Sequence, residues 1–282
     1  TLPEPLHMGI SLGGKAAVIG FLIISGVSIG ISYRKKSSGF FLRRFLRIYP
    51  LYFFAVLFTI VMQQVLGSPY EVPGQRMIAS DAFTNFANFF FLQSFGVITI
   101  TYNGPLWTLA VEVFFYLLTP LLFMLKSYVL ILIIALSMMV YTFYSGSWYW
   151  GNAAFQYAWP WLTGFLLAVR TEPKWLLPGL MTLGIFVAYN RLVQLGEPLS
   201  FVTITMVSVA VFLVNDNRFN LPGRGLGIMN FLAELSYPLY SFHMPVYLLL
   251  QVLVVGALLQ RLRSKRASTR ELIKLGGWSV PL

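Results

Sequence analysis

Apolar stretches close to the roughly 20 residues that a helix needs to cross a bilayer recur along the whole chain. They predict spans at about 12–32, 50–67, 105–125, 128–145, 155–169, 176–190, 199–214 and 226–258. A further aromatic stretch, 83–100, carries Asn85, Asn88, Gln93 and Ser94. Such polarity suits an interfacial or re-entrant segment better than a lipid-facing span. No polar block is large enough for a soluble domain. The expectation is therefore an all-α, polytopic integral membrane bundle of about eight transmembrane helices plus a re-entrant segment, forming one domain over 1–282.

Composition strengthens that reading, with 57% hydrophobic, 17% aromatic and only 10% charged residues, where soluble domains carry about 25% charged. Charge then sets an orientation. Six basic residues and no acid lie between Arg34 and Arg47, which predicts a cytoplasmic loop between the first two spans. Counting forward, Lys126, Arg170 with Lys174, and Arg218 with Arg224 also fall inside. The alternation fails at the basic tail, Arg261 to Lys274, so either 226–258 is not a simple crossing or a return helix is missing. The net charge of +11 suits anionic lipid or a phosphorylated ligand on the cytoplasmic side, and nucleic acid is not expected as a partner.

The absence of cysteine excludes thiol catalysis, disulfides and thiolate metal sites. His7 and His243 alone remain for imidazole chemistry. No His-x-x-His, Walker-type or Gly-x-Ser-x-Gly pattern occurs, no internal repeat is visible, and no metal site is expected.

Four segments carry candidate chemistry. In 24–30, Gly26 and Gly30 form a Gly-x-x-x-Gly pair that suits close helix packing; alternatively Ser25 and Gly26 bring the backbone close to a ligand, with Ser25 as donor. In 41–50, Arg43, Arg44 and Arg47 either snorkel toward headgroups or share a helical face that grips phosphate. In 105–120, Glu112 is a lone carboxylate inside an apolar run. Burying it is costly, which marks it as functional. Helical spacing puts Thr108, Tyr116 and Thr119 on its face. A carboxyl there can work as a general acid or base, ion-pair with Arg47, or merely lock helices through an arginine. In 234–245, Tyr240, His243 and Tyr247 share a face, between Pro238 and Pro245, which open the backbone; a histidine so placed also serves as a plain interhelical hydrogen bond.

Together these segments resemble the acyltransferase 3 family of membrane O-acyltransferases. The resemblance rests on 17–26 (Ala-Val-Ile-Gly-Phe-Leu-Ile-Ile-Ser-Gly), 42–52 (Leu-Arg-Arg-Phe-Leu-Arg-Ile-Tyr-Pro-Leu-Tyr), 105–112 (Pro-Leu-Trp-Thr-Leu-Ala-Val-Glu) and 235–245 (Leu-Ser-Tyr-Pro-Leu-Tyr-Ser-Phe-His-Met-Pro), in that order over about 12–250. Arg47-Ile48-Tyr49-Pro50 matches the family's Arg-x-x-Pro. Ser25-Gly26 matches Ser-Gly-Phe up to Val27, and Val111-Glu112 matches Val-Glu-Glu up to Val113.

The resemblance implies transfer of a short acyl group, typically acetyl from acetyl-CoA, onto a sugar hydroxyl of a surface or exported polysaccharide. It also implies a multi-pass protein of the bacterial inner membrane whose partners are lipid, a glycan acceptor and acyl-CoA. The donor would be a cosubstrate and not a bound cofactor. Arg43, Arg44 and Arg47, with Ser25, would hold acyl-CoA; Glu112 and His243 would be catalytic; Trp107, Thr108, Tyr116 and Tyr240 would line the substrate site. Family members begin with a span bearing Arg-x10-His, whereas here no span precedes residue 12 and His7 is not at that position. The expectation is a chain truncated at its N-terminus, and perhaps at its C-terminus, without the catalytic histidine. The rival expectations are a transporter or flippase for a lipid-linked glycan, or an inactive remnant.

Overall fold

The computed structural model describes residues 14–66, 80–143, 152–169, 179, 182–184, 186–187, 235, 237–250 and 253. In chain order these contain α1 (Gly14–Lys35), α2 (Phe40–Leu66), the short α3 (Ala82–Asn88), a single 3₁₀ turn (Gly104–Leu106), α4 (Trp107–Met124), α5 (Ser127–Phe143), α6 (Asn152–Gln156) and α7 (Ala158–Val169). Residues 237–250 are also helical and are called α8. No strand occurs among the described residues, where only an isolated bridge pairs Gln93 with Val97. The protein is a helical membrane bundle. Three of its described helices are long and apolar enough to span, Ala17–Lys35, Phe40–Val65 and Gly104–Met124, while Ser127–Phe143 and Ala158–Val169 are shorter apolar helices. Of the later expected spans, 199–214 lies outside the described residues, and 176–190 and 226–258 are described only in part.

The centre of the bundle is α7. Every residue from Ala158 to Val169 is buried, as expected of a helix that is apolar all round. It packs chiefly against α1, and then against α5. The closeness of the α1–α7 seam comes from glycine. A Cβ on Gly26 would lie 2.0 Å from the Trp161 carbonyl oxygen, and one on Gly164 would lie 2.1 Å from that of Ile23. Gly26 is thus used for helix packing and not for approach to a ligand. Outer faces are apolar in the manner of a lipid-exposed surface: on α5, Tyr128, Leu132, Leu136, Met139 and Phe143 are exposed, whereas Leu130, Ile134, Ser137, Met138 and Tyr141 are buried.

Helix α2 begins ten residues before the expected start at 50 and carries Pro50 in its interior. The arginines of 43–47 therefore belong to its first two turns and not to a loop. The connection from α1 is a tight turn with Gly39 in the left-handed region at φ 66°. Arg43 closes it, donating to the carbonyl of Ser38 and to that of Lys36 at 2.5 Å. Because α1 ends, α2 begins and α4 ends at the same side of the bundle, with the Tyr33 and Phe123 rings 5.2 Å apart, the cations Arg34 to Arg47 and Lys126 collect there.

The opposite side is covered by the 80–106 segment, which is no span. Asp81 caps α3 by accepting from the Thr84 amide at 2.7 Å; these hydrogen bonds from Thr84 hold its carboxyl below the usual 3.8. After α3 the chain turns through left-handed residues at Phe91, Ser94 and Tyr102, leaving backbone groups that helix cannot satisfy. Side chains take them over. Asn88 Nδ2 donates to the carbonyls of Thr84 at 2.8 Å and Ile98 at 3.0 Å, and its Oδ1 accepts from the Ile100 amide at 3.0 Å. Gln93 Nε2 donates to Tyr52 Oη at 2.8 Å and the Leu106 carbonyl at 3.0 Å. Asn103 Nδ2 reaches the Ser241 carbonyl at 3.0 Å, tying α8 to the segment.

Candidate active site

Glu112 lies near the middle of α4 and Ser25 near the middle of α1, 87 residues apart in sequence and both buried. The Ser25 hydroxyl donates to Glu112 Oε1 at 2.5 Å. The Tyr116 hydroxyl, one turn further along α4, donates to the same oxygen. Trp161 Nε1 on α7 donates to Ser25 Oγ at 3.3 Å, so three helices converge on one carboxyl. Behind it the Trp161 ring stacks on Phe115 at 4.9 Å and on Phe165 at 5.3 Å, which fixes the indole plane. A carboxyl held by two hydroxyls away from water has the chemistry to take up or give a proton. Among the described residues no guanidinium forms a hydrogen bond or ion pair with this carboxyl, although the charges of Arg44 and Arg47 reach it through space.

Arg44 approaches from α2, lying 5.9 Å from the Tyr116 ring centroid and 5.8 Å from that of Phe40. Beside it, between α1 and the start of α2, runs an open groove of about 580 Å³. Its floor is the α1 face Ile24, Val27, Ser28, Ile31, Ser32 and Lys35, and its basic mouth is completed by Lys36, Arg43 and Arg44. Arg47 is exposed and does not line this groove.

A second group surrounds Thr108, whose hydroxyl is paired with Tyr240 Oη. Tyr240 also donates to the Pro105 carbonyl at 2.7 Å, and its ring stacks on Phe21 at 5.9 Å. Trp107 packs against Tyr157 at 5.0 Å. Thr119 is buried, but its hydroxyl is spent on the Phe115 carbonyl at 2.8 Å within its own helix. His243 is exposed, with Nδ1 2.7 Å from the Tyr240 carbonyl oxygen. Among the described residues no hydrogen bond joins it to Glu112, and Tyr247 on its face is exposed as well.

Of the residues singled out from sequence, then, the structure gathers Glu112, Ser25, Tyr116 and Arg44, and separately Thr108 with Tyr240. Arg43 is at the groove mouth, Arg47 is exposed but within electrostatic reach of Glu112 and Arg44, and His243 stands apart. Sequence reasoning missed Trp161, whose only local signal is its spacing of three from Gly164 inside an apolar run. It also missed Tyr237, which donates to the Ile48 carbonyl at 2.8 Å and braces α2 beside Pro50.

A family model described as an acyltransferase domain, that of the acyltransferase 3 family, matches residues 3–269. No curated protein and no solved structure matches the chain. The chain belongs to the acyltransferase 3 family, and it is a membrane acyltransferase.

Proposed function

We propose that this acyltransferase moves an acyl group, acetyl in the simplest case, from acyl-CoA to a sugar hydroxyl of a surface or exported polysaccharide at the bacterial inner membrane. The observation that carries this reading is the groove along α1. It has the cations Lys35, Lys36 and Arg43 at one end, with Arg44 at the border with the neighbouring α2–α4 cavity, and reaches Ile24, next to Ser25, at the other. The step of twelve positions from Ile24 to Lys36 corresponds to about 18 Å at the helical rise. Coenzyme A is shaped to match, with phosphates at one end and the thioester on a long pantetheine arm. Phosphates at the mouth find guanidinium and ammonium donors. The arm then passes Ser32 and Ser28, which share a flank of α1 with Ser25 at i+7 and i+3, and the thioester arrives beside Glu112.

In the reaction, the acceptor hydroxyl attacks the thioester carbonyl. Its proton passes to Glu112, the new C–O bond forms as the C–S bond breaks, and Glu112 returns the proton to the leaving thiolate. Ser25 and Tyr116 hold the carboxyl in place. Thr108, Trp107 and Tyr240 flank the acceptor. Arg47 and His243 receive no role in this scheme.

The test uses the full chain in phospholipid nanodiscs, supplied with acetyl-CoA and a polysaccharide acceptor, reading release of free CoA thiol. The protein has no cysteine, so it adds no thiol background. Glu112→Gln preserves volume and one acceptor oxygen but cannot take the proton. It is expected to reduce thiol release by at least about a hundredfold, the span ascribed to a general base. Full activity in that variant overturns the role of Glu112. Movement of a lipid-linked glycan across sealed vesicles without thiol release would instead establish the flippase reading.

A further inference from the structure

On the side of Arg44 away from the α1 groove, between α2 and α4, lies a second cavity of about 190 Å³. Acyl transfer as described above does not use it. Its wall is made by Phe45, Ile48, Phe91, Val113 and Leu117, with Arg44 and Tyr116 at the edge. Phe45 and Leu117 are 51% and 63% exposed, so the cavity's outer rim is part of the apolar surface that faces the bilayer. An engineered apolar cavity of about 150 Å³ takes up benzene, so this one accommodates a hydrocarbon segment of several carbons.

Arg44 supplies the other half of the observation. Its guanidinium is half-buried and held over the rings of Phe40 and Tyr116, yet beyond the through-space charge of Glu112 and Tyr116 it makes no hydrogen bond or ion pair with any described residue. A planar fork of five donors kept partly out of water calls for an oxyanion, and phosphate fits it in bidentate fashion. The required ligand therefore has phosphate and hydrocarbon adjacent in one molecule. Acyl-CoA does not qualify, because its pantetheine arm separates the phosphates from the acyl group. A phospholipid does.

We infer that an anionic phospholipid of the surrounding bilayer docks between α2 and α4, with its phosphate on Arg44 and one acyl chain in the Phe45–Ile48–Phe91–Val113–Leu117 cavity. The site stands whether or not the donor is acyl-CoA. It would also bear on the active site, because the lipid fixes Arg44 against Tyr116, whose hydroxyl holds Glu112.

The full chain is reconstituted in vesicles of equal parts phosphatidylglycerol and phosphatidylcholine with matched chains, then released for native mass spectrometry. The wild type is expected to retain phosphatidylglycerol over phosphatidylcholine by about fivefold, the scale of one cation near an anionic lipid. Arg44→Gln should bring the ratio to about one. Val113→Phe, which fills the cavity, should lower retention of both lipids. Lys126→Gln, on the same side of the bundle but outside the cavity, should leave the ratio unchanged. Equal retention by the wild type overturns the inference, as does a ratio that survives Arg44→Gln. A ratio lost equally in Lys126→Gln also overturns it, by showing diffuse surface charge in place of a site. The ratio is internal to each sample, so it is readable even where a variant gives less folded protein.

Discussion

Gly26→Ala is the smallest change that should separate the α1–α7 seam and reach the carboxyl site through it. The added Cβ would stand 2.0 Å from the Trp161 carbonyl oxygen and 2.9 Å from the Phe165 amide nitrogen, both backbone atoms that cannot rotate away. Reaching even a tight contact of 3.0 Å requires the two helices to part by about 1 Å there. A buried leucine makes roughly 40–60 contacts of about 0.1–0.2 kcal/mol each, and a gap of about 0.5–1 Å forfeits roughly a quarter to a half of that attraction. Leu22 and Ile23 are buried in the same stretch of α1, so the expected cost is about 2–3 kcal/mol, in the range for an overpacked core. By soluble-protein scaling that lowers the unfolding midpoint by roughly 5–10 °C. The same displacement breaks the Trp161–Ser25 hydrogen bond, already at 3.3 Å. The assay is tryptophan fluorescence during heating in detergent, with thiol release measured on the same sample. Gly104→Ala is the control, because a Cβ there meets nothing within 4 Å, and its midpoint should move little. A Gly26→Ala protein that melts with the wild type would refute the close-packed seam and the route from it to Ser25.

Three further outcomes follow from the same geometry. Trp161→Phe keeps a ring on Phe115 and Phe165 but removes the donor to Ser25; stability should fall by about 1 kcal/mol, the net worth of one hydrogen bond, and thiol release should fall several-fold, whereas on a Ser25→Ala background, where the acceptor of the indole is already gone, Trp161→Phe should add little more. Asn88→Ala strips partners from two carbonyls and one amide at once, so it should cost about 3 kcal/mol or more, read as a lower unfolding midpoint in detergent. Asp81 is tied to Thr84 with its carboxyl held below 3.8, so its cap stabilises fully above that value and is lost as pH falls through the lower folded value. Amide exchange at Thr84 should therefore accelerate below about pH 3.8 beyond the intrinsic trend, and Asp81→Asn, which keeps an acceptor oxygen, should remove that extra acceleration.

How far the site was legible depends on the distance over which each interaction acts. On α4 the 3.6-residue period alone aligned Thr108, Glu112, Tyr116 and Thr119, and all four are buried. Period says which face a side chain takes, but not whom it meets. Thr119 turns back onto its own helix, and Thr108 finds Tyr240 on a helix more than a hundred residues away. The Gly-x-x-x-Gly pair on α1 signalled a close neighbour without identifying α7, because small residues state how near a helix can come and not which one arrives.

Arginine-rich turns are where the sequence misled, and the reason bears on function. Placing 43–47 in the loop between the first two spans, even with its arginines aligned on one helical face, treated charge as incompatible with a helix entering the membrane. Backbone hydrogen bonding within a helix is indifferent to long side chains that reach out of it, so α2 starts at Phe40 and carries its cations in rigid turns. The three arginines consequently take three different fates on one helix end. Arg43 is tied into the turn by backbone carbonyls, Arg44 is laid over aromatic rings between two cavities, and Arg47 is left exposed. A flexible loop would have presented all three alike to a phosphate. A helix fixes the difference, so substituting each in turn should separate groove binding, lipid selectivity and plain surface charge. If Arg43→Gln, Arg44→Gln and Arg47→Gln alter KM for acyl-CoA and the lipid ratio to the same degree, the helical placement of these charges has no functional meaning.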